Sequence, residues 1–154
     1  MPPFGGGMEI IMFAKQLTVF IENRTGRLCE VLNVLKNNGV NILSLSLADT
    51  TEFGLLRLIV DNPEMGKEKL SENGFSSLLS NVSIIKIPHK VGSLQELLGD
   101  IDKSGVNIEY MYGLSVEDNE AYVVLKASDS QKADEILTQN NIETVSCDYI
   151  AKKQ

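Results

Sequence analysis

The chain has 154 residues, a formal charge of −7 and a single histidine. A negative chain whose Lys and Arg are scattered offers no basic stripe for nucleic acid and no basic amphipathic face for a bilayer surface, and no apolar run approaches the ~18 residues of a membrane span. His89 and the two cysteines, Cys29 and Cys147, lie far apart in sequence, which predicts no metal site and no cofactor.

Residues 1–7 lack a charged n-region and the apolar run at 10–14 is too short for a signal peptide, so residues 1–14 read as a leader outside the folded part. Two small apolar-segment cysteines fit a reducing compartment, and the expected location is cytoplasmic. From Gln16 to Glu22, Leu17, Val19 and Ile21 alternate as in a strand. After a turn at 23–26, Leu28, Val31, Leu32 and Leu35 form one stripe of an amphipathic helix, ended by Asn37-Asn38-Gly39. Ile42 to Ala48 alternates again, a turn follows at 49–52, and Phe53 to Val60 is a third strand. Asn62-Pro63-Glu64 opens a weaker helix closed by Asn73-Gly74, and Phe75 to Ser80 reads as a short strand.

The order then repeats. Val82 to Pro88 reads as a strand, and 89–92 as a turn. A helix follows with Leu94, Leu97, Leu98 and Ile101 on one stripe. Ser93 with Glu96 has the spacing of a capping box that would start this helix. Strands are predicted at Ile108 to Val116, Ala121 to Lys126 and Ile142 to Ile150, with a helix at Gln131 to Asn140.

Gly39-Val40-Asn41-Ile42 recurs as Gly105-Val106-Asn107-Ile108, an offset of 66 residues. Gly26 answers to Gly92, Leu28 to Leu94, Glu30 to Glu96 and Leu32 to Leu98 at the same offset. One unit is written twice. The expected domains are 15–80 and 81–154, meeting near Asn81 with almost no linker and so in a fixed orientation. The fold class is α+β: two ferredoxin-like βαββαβ domains, each a four-stranded antiparallel sheet with two helices on one face. Fold alone names no function. The strands lack the paired aromatics of RNA readers, and the first loops lack C-x-x-C. Arg24 and Arg27, the only candidates for a phosphate loop, occur in one half alone. No catalytic residue is assigned and an enzyme is not expected.

The two motifs, Asn23-Arg24-Thr25-Gly26-Arg27-Leu28 with Gly39-Val40-Asn41-Ile42, and His89-Lys90-Val91-Gly92-Ser93-Leu94 with Gly105-Val106-Asn107-Ile108, resemble those of the ACT domain. That family binds small effectors, most often amino acids, and regulates enzymes of amino-acid metabolism. The resemblance implies a stand-alone, non-catalytic tandem ACT protein with an amino acid as effector and a regulated enzyme as partner. Alternatives are a partner of a transcription regulator, as in the repressor of the glycine-cleavage system, and an assembly module without ligand. Exposed edge strands predict a homodimer. In the family, second strands of neighbouring domains pair edge to edge into an eight-stranded sheet, here within or between chains. The chain departs from the family where Thr25 and Val91 stand for a common proline, and where His89 stands for an acidic residue or Asn.

The resemblance places the effector between the first turn of one domain and the second strand of its neighbour. The turn residues are Asn23, Thr25, Gly26, Arg27 and Leu28, or His89, Val91, Gly92, Ser93 and Leu94. N–H groups of Gly26, Arg27 and Leu28, or of Gly92, Ser93 and Leu94, would take a carboxylate at the helix N-terminus. Asn41 or Asn107 would offer amide donor and acceptor, beside Ile42 and Leu43 or Ile108 and Glu109. Both asparagines also suit Asx-turns. The copies differ just downstream, where Leu43-Ser44-Leu45-Ser46 becomes Glu109-Tyr110-Met111-Tyr112. Tyr110 is expected either to wall an inter-domain effector groove or, with Tyr112, to cover an open sheet face or make a dimer contact.

Overall fold

A computed structural model describes residues 13–22, 24–49 and 52–153. They form β1 (Ala14–Glu22), α1 (Arg27–Asn37), β2 (Ile42–Asp49), β3 (Phe53–Val60), α2 (Pro63–Glu72) and β4 (Ser77–Pro88). Then follow α3 (Ser93–Lys103), β5 (Ile108–Glu117), β6 (Glu120–Ala127), α4 (Ser130–Gln139), β7 (Glu143–Val145) and α5 (Cys147–Lys152). Most of the expected leader, and parts of the turns at 23–26 and 49–52, lie outside the described residues.

The sheet order is β2-β3-β1-β4-β6-β5, with β7 also on β4. This contains two βαββαβ units with the order second-third-first-fourth, joined through one strand. The two strands expected at 75–80 and 82–88 are that single strand. Residues 77–82 of β4 pair with β1, and residues 83–88 pair with β6. Asn81 therefore lies inside a ladder, opposite Lys15. No turn is needed, because the chain changes neighbours rather than direction.

Period-two alternation sorts the side chains into layers. Leu17, Val19, Leu56 and Leu58 face α1 and α2 in one buried cluster, and Ile85, Ile87, Val123 and Leu125 face α3 and α4 in another. The opposite faces are not left to solvent. Ala14, Ile59, Val82, Ile84, Tyr122 and Val124 form a third buried cluster, with Leu43, Tyr112 and Leu114 packed on it. The helix-free faces of the two halves thus bury each other, which is why Leu58, Ile59 and Val60 are buried consecutively.

The C-terminal segment differs from the expected long strand. After β7, the Ser146 hydroxyl accepts from the Tyr149 N–H at 3.1 Å and caps α5. Cys147 and Ile150, three apart, are buried in the inter-sheet cluster. The apparent alternation through Val145, Cys147 and Tyr149 is overridden by the cap and this helical pair.

β2 and β5 end the sheet path and do not pair with each other within the described chain. They meet across the layer instead, where the Ser44 hydroxyl donates to the Gly113 carbonyl at 3.0 Å. No helix among the described residues is long and apolar enough to cross a membrane.

Candidate functional site

Gly26 and Gly92 cap α1 and α3 in the left-handed region, at φ 90° and 89°. A Cβ is costly there, and glycine turns the chain from strand into helix. The capping box expected from Ser93 does not form. Gly92 is the cap and Ser93 is the first helical residue, so its hydroxyl lies behind the N–H groups it would have satisfied. That hydroxyl is buried without a hydrogen-bond partner among the described residues. Two of the expected anion donors are already engaged: Arg27 N–H goes to the Arg24 carbonyl and Ser93 N–H to that of Lys90, each at 3.3 Å.

Around these turns, Thr25 is exposed, Leu28 and Leu94 are about two-fifths exposed, and Val91 is fully so. His89 is exposed and its N–H donates to the Asn119 carbonyl at 2.7 Å. Asn23 lies outside the described residues. Arg27 is not a free donor. Its guanidinium bridges Glu30 at 2.7 Å and Glu22 at 3.8 Å and lies 4.2 Å over the Phe75 ring.

The two asparagines are held alike. Asn41 N–H donates to Asp61 Oδ1 at 2.9 Å and its carbonyl accepts from Asp61 N–H at 3.0 Å. Asn107 N–H donates to the Ser128 hydroxyl at 3.2 Å and its carbonyl accepts from Ser128 N–H at 2.8 Å. With the backbone clipped from outside, neither carboxamide closes an Asx-turn, and both side chains are exposed. Asp61 and Ser128 escaped the repeat comparison because the offset there is 67. β5 carries a second irregularity, between Gly113 and Ser115, that β2 lacks. Asn62 and Asp129, the caps of α2 and α4, share the new offset and carry the signal.

Each asparagine lines a groove beside its edge strand. The groove of about 640 Å³ in the second half is walled by Leu94, Leu98, Val106 and Ile108, with Asn107 and Asp102 as polar groups. Its counterpart of about 400 Å³ is lined by Leu32, Val40, Ile42, Asn41 and Lys36. Lys36 and Asp102 occupy equivalent positions, so the two grooves share a place in the fold and oppose in charge.

Leu43 packs on the inter-sheet cluster, Tyr110 bonds to Gln16 of β1, neither lines these grooves, and Glu109 is exposed. Tyr110 lies 3.8 Å beneath the Arg57 guanidinium, and its hydroxyl accepts from Gln16 Nε2 at 2.8 Å. The Tyr112 hydroxyl donates to Gln16 Oε1 at 2.6 Å. Burial pushes the Tyr112 hydroxyl well above its ordinary pKa, the neighbouring Tyr110 adds to this, and Arg57 opposes it. Gln16 and Arg57 went unnoticed in the sequence, since a polar residue on the outer phase of a strand reads as solvated.

The described residues hold no cluster of His, Cys, Asp and Glu fit for a metal ion. A family model described as an ACT domain pair matches residues 12–153. No curated protein sequence matches the chain. Protein BT0572 from Bacteroides thetaiotaomicron superposes with a TM-score of 0.85 at 36% identity, covering 90% of this chain and 96% of that one. The ligand-free regulatory subunit of aspartate kinase from Thermus thermophilus superposes with a TM-score of 0.59 at 16% identity, over 84% and 95%. The corresponding subunit from Thermus flavus gives 0.52 at 15%, over 83% and 93%. Those two likenesses are of fold. With the motif at both turns, the duplicated grooves and a family model spanning both halves, the chain belongs to the ACT domain pair family.

Proposed function

We propose that the chain is a non-catalytic regulatory protein that binds an amino-acid effector at the grooves beside Asn41 and Asn107, and that a second copy completes them. The observation that carries this is the twice-built groove: an apolar wall, a carboxamide with its backbone clipped in place, and one charge. A zwitterion needs both a cation and an anion; the first groove holds Lys36 and the second Asp102, so the other charge in each must come from the second copy. The grooves open beside β2 and β5, whose outer edges are unpaired in the described chain. Leu45 and Leu47 of β2 are about half exposed, which suits pairing with a second copy. Both cysteines are free, in keeping with a cytoplasmic setting.

Regulation would then follow from linkage. An effector shared between two copies stabilises one arrangement, and an enzyme partner that prefers that arrangement is controlled. Calorimetric titration with the twenty amino acids tests the reading. Saturable heat with at least one is expected, with affinity reduced about ten-fold in Asn107→Ala for the loss of one or two hydrogen bonds. No heat with any amino acid would overturn it.

A further inference from the structure

We propose that the cleft beside Ser93 binds a small alkylguanidinium cation, in the seat that Arg27 fills for itself in the first half of the chain. The template is the first half. There the Arg27 side chain is 15% exposed, held by the Glu30 and Glu22 carboxylates and laid flat on Phe75. In the second half Ser93 stands at the place of Arg27, both being the first residue of their helix. Glu96 stands at the place of Glu30.

Ile142 stands at the place of Phe75. The N–H of Phe75 returns to Leu70 at 2.9 Å and that of Ile142 to Leu137 at 2.8 Å, each closing the end of the preceding helix. The second carboxylate has moved rather than vanished: Glu22 becomes Pro88, and Val34 becomes Asp100. One carboxylate is kept, a second stands elsewhere, an aliphatic side chain replaces the ring, and the arginine is gone.

What remains is a cleft of about 280 Å³ between the start of α3 and the segment joining α4 to β7. Ser93, Glu96 and Asp100 supply its acceptors, Lys90 and Asn140 also line it, and Leu97 and Ile142 form its apolar wall, so the two carboxylates outnumber the one lysine. The Ser93 hydroxyl is buried there without a partner, and neither Glu96 nor Asp100 makes an ion pair among the described residues. Two carboxylates beside an apolar wall suit a planar, weakly hydrated cation with several donors, which can lie on Ile142 while donating to both acids. A compact ammonium would leave that wall unused. The positive end of α3 disfavours a cation, as the end of α1 does for Arg27, so the paired carboxylates must carry the binding. The volume lies just below the usual ~300–1,000 Å³ of ligand pockets, fitting a guanidinium head with a short stem.

The full-length chain should be titrated with agmatine, whose guanidinium comes without a carboxylate, and followed by amide NMR shifts and calorimetry. Saturable binding is expected, with shifts centred on Glu96, Asp100 and Ile142 and a preference over the isosteric urea, which keeps agmatine's terminal ammonium and loses only the guanidinium charge. Glu96→Gln, at an exposed side chain, should weaken it at least ten-fold. Ser93→Arg, which ties a guanidinium into the seat, should abolish it. If Ser93→Arg does not fold, Asp100→Asn takes its place and should weaken binding in the same way. Asn107→Ala should leave agmatine binding unchanged, which separates this site from the amino-acid grooves. No saturable binding by the wild-type chain, equal affinity for the urea, or unchanged affinity in Glu96→Gln would overturn the proposal.

Discussion

Gln16→Met tests whether the contact between the two sheets depends on a buried polar network. Gln16 is 0% exposed between the sheets. Its Nε2 donates to the Thr18 hydroxyl at 3.0 Å and the Tyr110 hydroxyl at 2.8 Å, and its Oε1 accepts from the Tyr112 hydroxyl at 2.6 Å. Methionine preserves the length of the side chain, so little cavity term arises, and the loss is polar. The Tyr112 hydroxyl loses the acceptor it has among the described residues, at about 1–3 kcal/mol for a buried group left unpaired. Thr18 and Tyr110 lose a donor but keep hydroxyls that can turn, at roughly 0.5–1 kcal/mol each. The sum is about 2–5 kcal/mol, or roughly 4–20 °C in melting temperature for a chain of this size. Urea denaturation of the single and double variants is the assay. Gln16→Met with Tyr110→Phe and Tyr112→Phe should regain most of the loss, because replacing both tyrosine partners by apolar rings removes their orphaned hydroxyls and leaves only Thr18 without its donor. A Gln16→Met change under about 0.5 kcal/mol, or strict additivity with Tyr112→Phe, would refute the reasoning.

Other outcomes are equally checkable. Gly92→Ala should cost about 1–2 kcal/mol in urea denaturation, all of it backbone strain, since φ is 89° and no atom lies within 4 Å of the added Cβ. Tyr112 carries a raised pKa in the fold, so its contribution to stability is full below the ordinary tyrosine value of 10.0 and is lost as pH rises past it. Stability measured across that window should fall with pH, and the slope should flatten in Tyr112→Phe. Thiol labelling should modify Cys29, which is exposed, much faster than Cys147. Burial pushes the Cys147 thiol up, and its Sγ donates to the Lys15 carbonyl at 3.8 Å.

The duplication has consequences beyond fold. Equivalent positions carry Lys36 and Asp102, Arg27 and Ser93, Ser44 and Tyr110, and each pair marks a place where the halves have taken different tasks. The first half is self-sufficient at its turn, where an arginine closes the space beneath the helix. The second half is open there and supplies the tyrosines that cross to the first.

Read alone, the sequence determined the elements and their duplication. Alternation and the i, i+3, i+4 stripe record which side of each backbone is buried, and that is a local property. It also determined the turn conformation, because a glycine at 26 and 92 answers to a φ that other residues resist. The continuity of β4 was hidden, since a strand that trades one neighbour for another shows no break in its own pattern. The start of α5 was equally hidden, since one capping hydroxyl decides between two periods that a short segment fits equally well. Only the tertiary structure decided that the helix-free faces pack on each other and that Gln16, Arg57, Tyr110 and Tyr112 join across them. Nothing local marks a polar residue as buried; the partner that satisfies it lies some 94 residues away. The empty seat beside Ser93 emerged the same way, from the positions of residues that the sequence lists but does not bring together.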